Sequence, residues 1–222
     1  ITATVIGHNI DDFIGKVSVD SLYYEDESGD WSMGNMTVAI GQYNDVIRAT
    51  TINSDFMNAT LIGNYQASRI PASIAKACSD ALPNIGKLVG TKLKAGSYSK
   101  ASNSFALDIN VRNTDFLQKV FHSPVSVNQP AHLQMTFIDS RSVYNGSVSV
   151  PDLSLREQSI TDAFINLKSS DGTCNVDLAG SYGDKTGDMT SLTASFDAST
   201  DIVHADYSWG NKSHTMSGTA QT

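Results

Sequence analysis

The sequence is short of charge, basic residues and long apolar runs. Charged residues make up 17% of the 222 residues, against a usual share of about 25%. The net charge of −8 disfavours non-specific nucleic-acid binding, because that requires a basic surface. No apolar run approaches the ~18 residues that a membrane-spanning helix needs. These shortages disfavour two classes, nucleic-acid-binding proteins and helical membrane proteins.

Cysteine is also scarce. Cys78 falls on a predicted helix and Cys174 on a predicted strand. A disulfide requires Cα atoms within about 7 Å of each other, which leaves their pairing open. Two buried free thiols are the simpler interpretation, because free cysteine is among the most buried residue types.

Motifs that carry chemistry are missing as well. There is no His-Glu-x-x-His or Cys-x-x-Cys spacing, no Gly-x-Ser-x-Gly elbow and no phosphate-binding loop that opens a helix. We therefore predict a protein that is not an enzyme, with no catalytic, cofactor-binding or metal-binding residues.

A short strand-like phrase that ends near a glycine recurs instead. It is found at residues 3–7, 58–65, 143–150, 175–182 and 214–221. Apolar and polar residues alternate in most of the chain. In one example, Phe105, Leu107, Ile109 and Val111 are apolar, and Asp108 and Asn110 lie between them. This period of two is typical of strands with one apolar face.

Two segments break the alternation. Apolar residues at spacings of three and four predict a helix near residues 70–90, with Pro71 in its first turn. Residues 114–121 favour a short helix with Thr114 as its N-cap. If the chain subdivides, the polar stretch near residues 91–104 is the expected break.

The predicted fold is therefore mainly β: a long curved antiparallel sheet that forms a groove or taco-like trough. A β-sandwich is the alternative, because a second sheet would also cover an apolar face. Ten residues are candidates for contact with lipid on that face, although a packed core would use the same residues. They are Phe105, Leu107, Ile109, Leu133, Met135, Phe137, Leu192, Phe196, Tyr207 and Trp209.

One stretch is similar to a known family. Residues 50–77, TTINSDFMNATLIGNYQASRIPASIAKA, resemble the TamB-like branch of the AsmA superfamily in Bacteroidota, where a strand leads into a helix opened by Ile-Pro. Residues 9–24, 103–121 and 142–180 are similar to neighbouring segments of that family. The resemblance covers most of the chain, and the order of the phrases carries it more than any one phrase.

The resemblance implies that residues 1–222 are a single elongated segment of a longer periplasmic protein. Its inner-membrane anchor would lie outside this segment. The implied function is non-enzymatic lipid transfer between inner and outer membranes in outer-membrane biogenesis, similar to that of a translocation and assembly module. Its partners would be phospholipid or other acyl chains and an outer-membrane assembly protein. The alternative function is a closed β-sandwich that acts as a protein-interaction or adhesin-like surface module.

Overall fold

One antiparallel sheet of 14 strands dominates the computed structural model of the chain. The structure describes residues 1–27, 29–74, 103–114, 118–119, 122–141, 143–170, 172–184, 189–199, 202–211 and 214–221. The strands are β1 (Thr2–Ile6), β2 (Ile14–Val19), β3 (Leu22–Asp26), β4 (Gly29–Met33), β5 (Met36–Gln42), β6 (Arg48–Ser54), β7 (Met57–Asn64), β8 (Ser104–Val111), β9 (Val125–Val127), β10 (Ala131–Ile138), β11 (Val143–Leu155), β12 (Gln158–Ser170), β13 (Thr173–Asp184), β14 (Met189–Ser199), β15 (Ile202–Gly210) and β16 (Thr215–Gln221).

The sheet follows the order of the chain. Its strands lie in the order β1-β2-β5-β6-β7-β8-β10-β11-β12-β13-β14-β15-β16, and β9 pairs beside them with β11. The hairpin β3–β4 forms a separate two-stranded sheet between β2 and β5. An open sheet of this length twists and curves. The predicted long antiparallel sheet is therefore confirmed.

The alternative architecture, a β-sandwich, is wrong. The described strands form a single open sheet and one small hairpin, with β1 and β16 as the two edges of the large sheet. A second packed sheet would bury the apolar face. Most apolar side chains on that face are only half-buried, because no such layer covers them within the described residues.

The helical predictions fall largely outside the described residues. Residues 70–74 are helical and follow a 3₁₀ turn at Ala67–Arg69, while residues 75–90, with Cys78, lie outside. In the second segment the Gln118 N–H donates to the Thr114 carbonyl, at 3.0 Å, and residues 118–119 are helical. The expected break near 91–104 lies outside as well, except for its last two residues.

A cluster of buried aromatic side chains lies at one end of the strands. Tyr65, Phe105, Phe137 and Tyr144 form the buried aromatic cluster there. Ile70 of the helical segment packs against this cluster. Asn103 fixes the same end, because its side chain accepts from Gln66 N–H at 2.8 Å and donates to Ser73 Oγ at 2.9 Å. The described helical residues therefore anchor one margin of the sheet.

The molecule exposes far more surface than a compact domain. Its accessible surface is 13939 Å², whereas a compact monomer of this mass exposes about 9,900 Å². A single sheet layer contributes to this excess, because both of its faces are within reach of solvent.

Gly63 allows β8 to lie against β7. Its φ of +150° is a conformation that side chains rarely adopt. A Cβ added at this position would collide with the Ser104 carbonyl oxygen and come 2.6 Å from the Phe105 Cα. Both atoms belong to the facing backbone, which cannot move aside without opening the ladder.

We predict that Gly63→Ala destabilises the fold by roughly 2 to 3 kcal/mol through this collision and the strained φ. Gly41→Ala is the matched control, because nothing lies within 4 Å of its Cβ position. That control should change the free energy of unfolding by less than about 0.5 kcal/mol. Urea denaturation of both variants measures the difference, and equal stabilities would contradict the role assigned to Gly63.

Candidate functional site

The candidate functional site is the apolar face of the large sheet, defined here by one row of side chains at right angles to the strands. Directly paired residues put their side chains on the same face. The pairing links thirteen such positions without a break from β1 to β16. This first row consists of Ala3, Val17, Val38, Ile52, Ala59, Ile109, Leu133, Val148, Ile165, Leu178, Ala194, Tyr207 and Gly218.

A second row runs beside the first on the same face. It consists of Val5, Gly15, Ile40, Thr50, Leu61, Leu107, Met135, Gly146, Leu167, Val176, Phe196, Ala205 and Ala220. Thr50 is its only side chain with a polar group. At a spacing of about 4.8 Å per strand, each row extends for about 58 Å.

All ten candidate residues lie on the apolar face. The first row contains Ile109, Leu133 and Tyr207, and the second contains Leu107, Met135 and Phe196. The remaining four lie outside these rows, where Phe105 pairs with Phe137 and Leu192 pairs with Trp209. The structure therefore brings the candidates onto one surface, although β8 and β15 lie far apart in the sheet order.

Two of the ten are buried. Phe105 and Phe137 stack with their ring centroids 5.2 Å apart, and Tyr144 continues the stack 6.2 Å from Phe137. Tyr65 meets Phe105 edge-on, and its hydroxyl lies 2.7 Å from Thr50 Oγ1. These rings pack against one another at the margin of the face, so they limit it rather than contribute accessible surface.

The other eight candidates remain accessible. Leu192 and Trp209 are exposed, and the rest are half-buried. Tyr207 and Trp209 stack with their ring centroids 5.4 Å apart. The face therefore presents a nearly continuous apolar surface to its surroundings.

Glycines on the apolar face leave space for large side chains, because four of them pair with a bulky residue on the adjacent strand. The pairs are Gly63–Phe105, Gly146–Met135, Gly180–Leu192 and Gly218–Tyr207. A Cβ at Gly218 would lie 2.7 Å from the Tyr207 hydroxyl oxygen. The Tyr207 ring can therefore lie over β16, and the glycine of the recurring phrase makes room for large side chains.

The opposite face, here called the polar face, carries the matching polar row. It consists of Thr4, Lys16, Ala39, Thr51, Thr60, Asp108, Gln134, Ser147, Asn166, Asp177, Ser195, Asp206 and Thr219. Hydrogen bonds between side chains link neighbouring strands on the polar face. The Ser195 hydroxyl donates to Asp177 Oδ1 at 2.7 Å, and Ser181 and Ser191 hydroxyls lie 2.9 Å apart.

Asp108 is the centre of one such network. Its Oδ2 accepts from Gln134 Nε2 at 3.0 Å and lies 3.1 Å from His132 Nε2. The hydrogen bond from Gln134, followed by that from His132, lowers the pKa of Asp108 below the ordinary value of an aspartate. This network ties β8 to β10 on the polar side.

A hollow that sequence reasoning missed lies on the polar face over β12–β16. Its volume is about 740 Å³, and Phe164, Asn166, Asp177, Ser195 and Asp206 contribute to its lining. The alternation of residues assigns these side chains to the polar face. The depth of the hollow, however, depends on how the sheet bends, and the alternation of residues does not predict that bending.

No three His, Cys, Asp or Glu side chains in the described ranges come together as metal ligands. Within the part of the chain that the structure describes, no helix is long and apolar enough to cross a membrane.

We predict that Gln134→Ala and His132→Ala each raise the pKa of Asp108, because each substitution removes a hydrogen bond that lowers it, the Gln134 bond being the largest single cause. A carboxyl group with a lowered folded-state pKa stabilises the fold above its unfolded value of about 3.9. That contribution is lost as the pH falls through the folded-state pKa.

Carboxyl ¹³C NMR titration measures the pKa of Asp108 in each variant. Ser147→Ala, at the next position of the polar row, is the control and should leave it unchanged. A pKa of Asp108 at or above the ordinary value in the unaltered chain would refute the assignment.

No protein-family model, curated protein or solved structure matches this chain. The resemblance to the TamB-like branch of the AsmA superfamily therefore stays a prediction.

Proposed function

We propose that this chain is a non-enzymatic lipid-transfer segment whose apolar face shields acyl chains as they pass between membranes. The observation that supports this most is the pair of apolar rows, which continue across thirteen strands without a covering layer among the described residues. Monomeric soluble proteins rarely expose an apolar patch larger than a few hundred Å². A long strip of this kind needs an occupant.

The energetics suit a carrier. An acyl chain gains about 0.8 kcal/mol for each CH₂ removed from water. A sheet face covers about half of a chain's surface, so a chain of about sixteen carbons would gain roughly 6 kcal/mol. That is enough to hold a lipid and small enough to release it. Apolar contact also needs no specific polar partner, which suits a strip without charged side chains in its two rows.

The surroundings of the segment belong to the same proposal. The parent protein would be periplasmic and involved in outer-membrane biogenesis, with an inner-membrane anchor outside residues 1–222. An outer-membrane assembly protein would receive the cargo. The acidic net charge is consistent with cargo held by apolar contact rather than by attraction to anionic headgroups.

Photo-crosslinking tests the proposal at neighbouring residues that differ in face. Crosslinkers at Leu133 and Ile165, on the apolar face, should capture lipid when the chain is produced in the periplasm of a Gram-negative host. Crosslinkers at Gln134 and Asn166, one residue further along the same strands, should not. Equal lipid capture on both faces, or none on the apolar face, would contradict the proposal. Protein adducts alone at Leu133 and Ile165 would favour an interaction module instead.

Charge substitution at two adjacent residues gives a second test. Ile165 and Phe164 are 44% and 40% exposed and lie on opposite faces of β12. Ile165→Lys should weaken binding of a fluorescent fatty acid about tenfold, because the ammonium group must be desolvated against the chain. Phe164→Lys should change it by less than about twofold.

The similar exposure of these two residues makes Phe164→Lys a matched control for general damage. Thermal unfolding should shift by a similar small amount in both variants. The proposal fails if both substitutions weaken fatty-acid binding equally while both variants remain folded.

A further inference from the structure

Three hollows lie side by side on the polar face. The hollow over β12–β16 has a volume of about 740 Å³, and hollows of about 280 and 260 Å³ continue from it over β10–β12 and β7–β10. Asn166 lines both the first and the second, and Gln134 and Thr136 line both the second and the third. Together they form one channel across the strands from β7 to β16, named here the polar groove.

Each strand that the polar groove crosses contributes a hydrogen-bonding side chain to its floor. These side chains are the members of the polar row from Thr60 on β7 to Thr219 on β16, and each of them lines one of the three hollows. All belong to strands that the structure describes. At about 4.8 Å per strand, the row therefore repeats a polar group over about 38 Å.

Two aspartates of the row keep an oxygen for a ligand. Asp108 uses Oδ2 for its bonds with Gln134 and His132, and Asp177 uses Oδ1 for the bond from Ser195. Among the described residues, no side-chain hydrogen bond reaches the other oxygen of either carboxylate. The cross-strand bonds thus hold the two carboxylates in place and leave an acceptor for hydroxyl groups of a ligand.

Phe164 adds an aromatic surface to the large hollow. Its side chain is 40% exposed and lies two residues before Asn166, on the same face of β12. A sugar ring has C–H groups on its faces and hydroxyl groups around its rim, so it can pack on an aromatic ring while its hydroxyls meet polar side chains. The volume of the large hollow also lies within the usual range of ligand pockets.

The spacing of the row distinguishes a sugar chain from a peptide. An extended peptide repeats its side chains on one side about every 6.7 Å, which is out of step with the strands. An extended chain of β-linked hexoses advances by about one strand spacing for each sugar. Asp108, Asp177 and Asp206, all in the row, repel a polyanion such as a nucleic acid. The polar groove therefore suits an uncharged chain of sugars.

We propose that the polar groove binds a linear, neutral oligosaccharide of β-linked hexoses. The sugar chain lies across the strands, with one ring against Phe164 and its hydroxyl groups bonded to the polar row. The groove is on the face opposite the two apolar rows, so this site goes beyond the proposed lipid transfer and does not depend on it.

The length of the sugar tests the proposal. In calorimetric titrations, cellohexaose or the hexamer of N-acetylglucosamine should bind at least about tenfold more tightly than the corresponding disaccharide, because the longer chain meets more of the row. The affinity should change little between roughly 0.05 and 0.5 M salt, because the ligand is uncharged. Absence of binding by both hexamers overturns the proposal. So does tighter binding of hexalysine that is lost in high salt, because the carboxylates would then serve a basic peptide.

Substitutions in the row locate the site. Asp206→Ala should weaken binding of the tighter hexamer about tenfold, because it removes a charged acceptor. Asp197→Ala is the matched control, since Asp197 is exposed on the same face but does not line the large hollow, and it should change the affinity less than about twofold. If Asp206→Ala fails to fold, Asn166→Ala, at the junction of two hollows, replaces it. Unchanged affinity in a folded variant of the row contradicts the proposal.

The sugar and lipid hypotheses fail separately. Ile165→Lys, on the opposite face of β12, should leave the affinity for the hexamer unchanged while it weakens fatty-acid binding. Fatty-acid binding by the unaltered chain without hexamer binding would overturn the sugar site alone. Hexamer binding without fatty-acid binding would overturn the proposed function alone.

Discussion

Strand register is the constraint on which the rest of this structure depends. Side chains alternate along a strand, so a slip of one residue would move every side chain of that strand to the other face. Twelve consecutive pairings keep the same alternation from β1 to β16. Among the described strand pairs, a register shift occurs between Thr161 and Phe164 on β12, where Asp162 has a φ of +51°. Two chemically distinct faces follow from this regularity.

The fold relies on backbone ladders more than on a central core. The aromatic cluster around Phe137 lies at one margin of the sheet, and most of the apolar face is only half-buried. Hydrogen bonds on the polar face, such as those to Asp108, add cross-strand links without covering the other side. The fold can therefore be stable while its apolar face stays accessible, because the backbone ladders and the polar-face hydrogen bonds do not cover that face.

Local alternation made much of this arrangement predictable. Phe105, Leu107 and Ile109 could be assigned to one face from their spacing alone, and the pairing of β8 with β7 and β10 agrees with that assignment. That the sheet is single and open did not follow from the same signal, because the strands of a β-sandwich would show the same alternation. That Phe105 and Phe137 are buried while Leu192 is exposed could not be predicted, because burial depends on which strand ends receive a covering segment.

Other features had no local signal. The small β3–β4 hairpin looks like any other pair of strands in the sequence, and its separation from the main sheet is a matter of three-dimensional pairing. The hollow near Phe164 arises from sheet shape. Gly218 was visible as a recurring glycine, but its role required the Tyr207 ring on the neighbouring strand.

The order of the strands has a consequence for how such a chain can vary in length. Nearly every strand pairs with its neighbours along the chain, so contacts are mostly short-range in sequence, as in repeat proteins. Gain or loss of one hairpin within the meander would change the sheet by about 9.6 Å. It would preserve the direction and the faces of all other strands. The β3–β4 hairpin shows that the chain already accommodates an additional pair between β2 and β5 without disturbing their pairing. Duplication of hairpins is therefore a simple evolutionary route from a short apolar strip to a longer one.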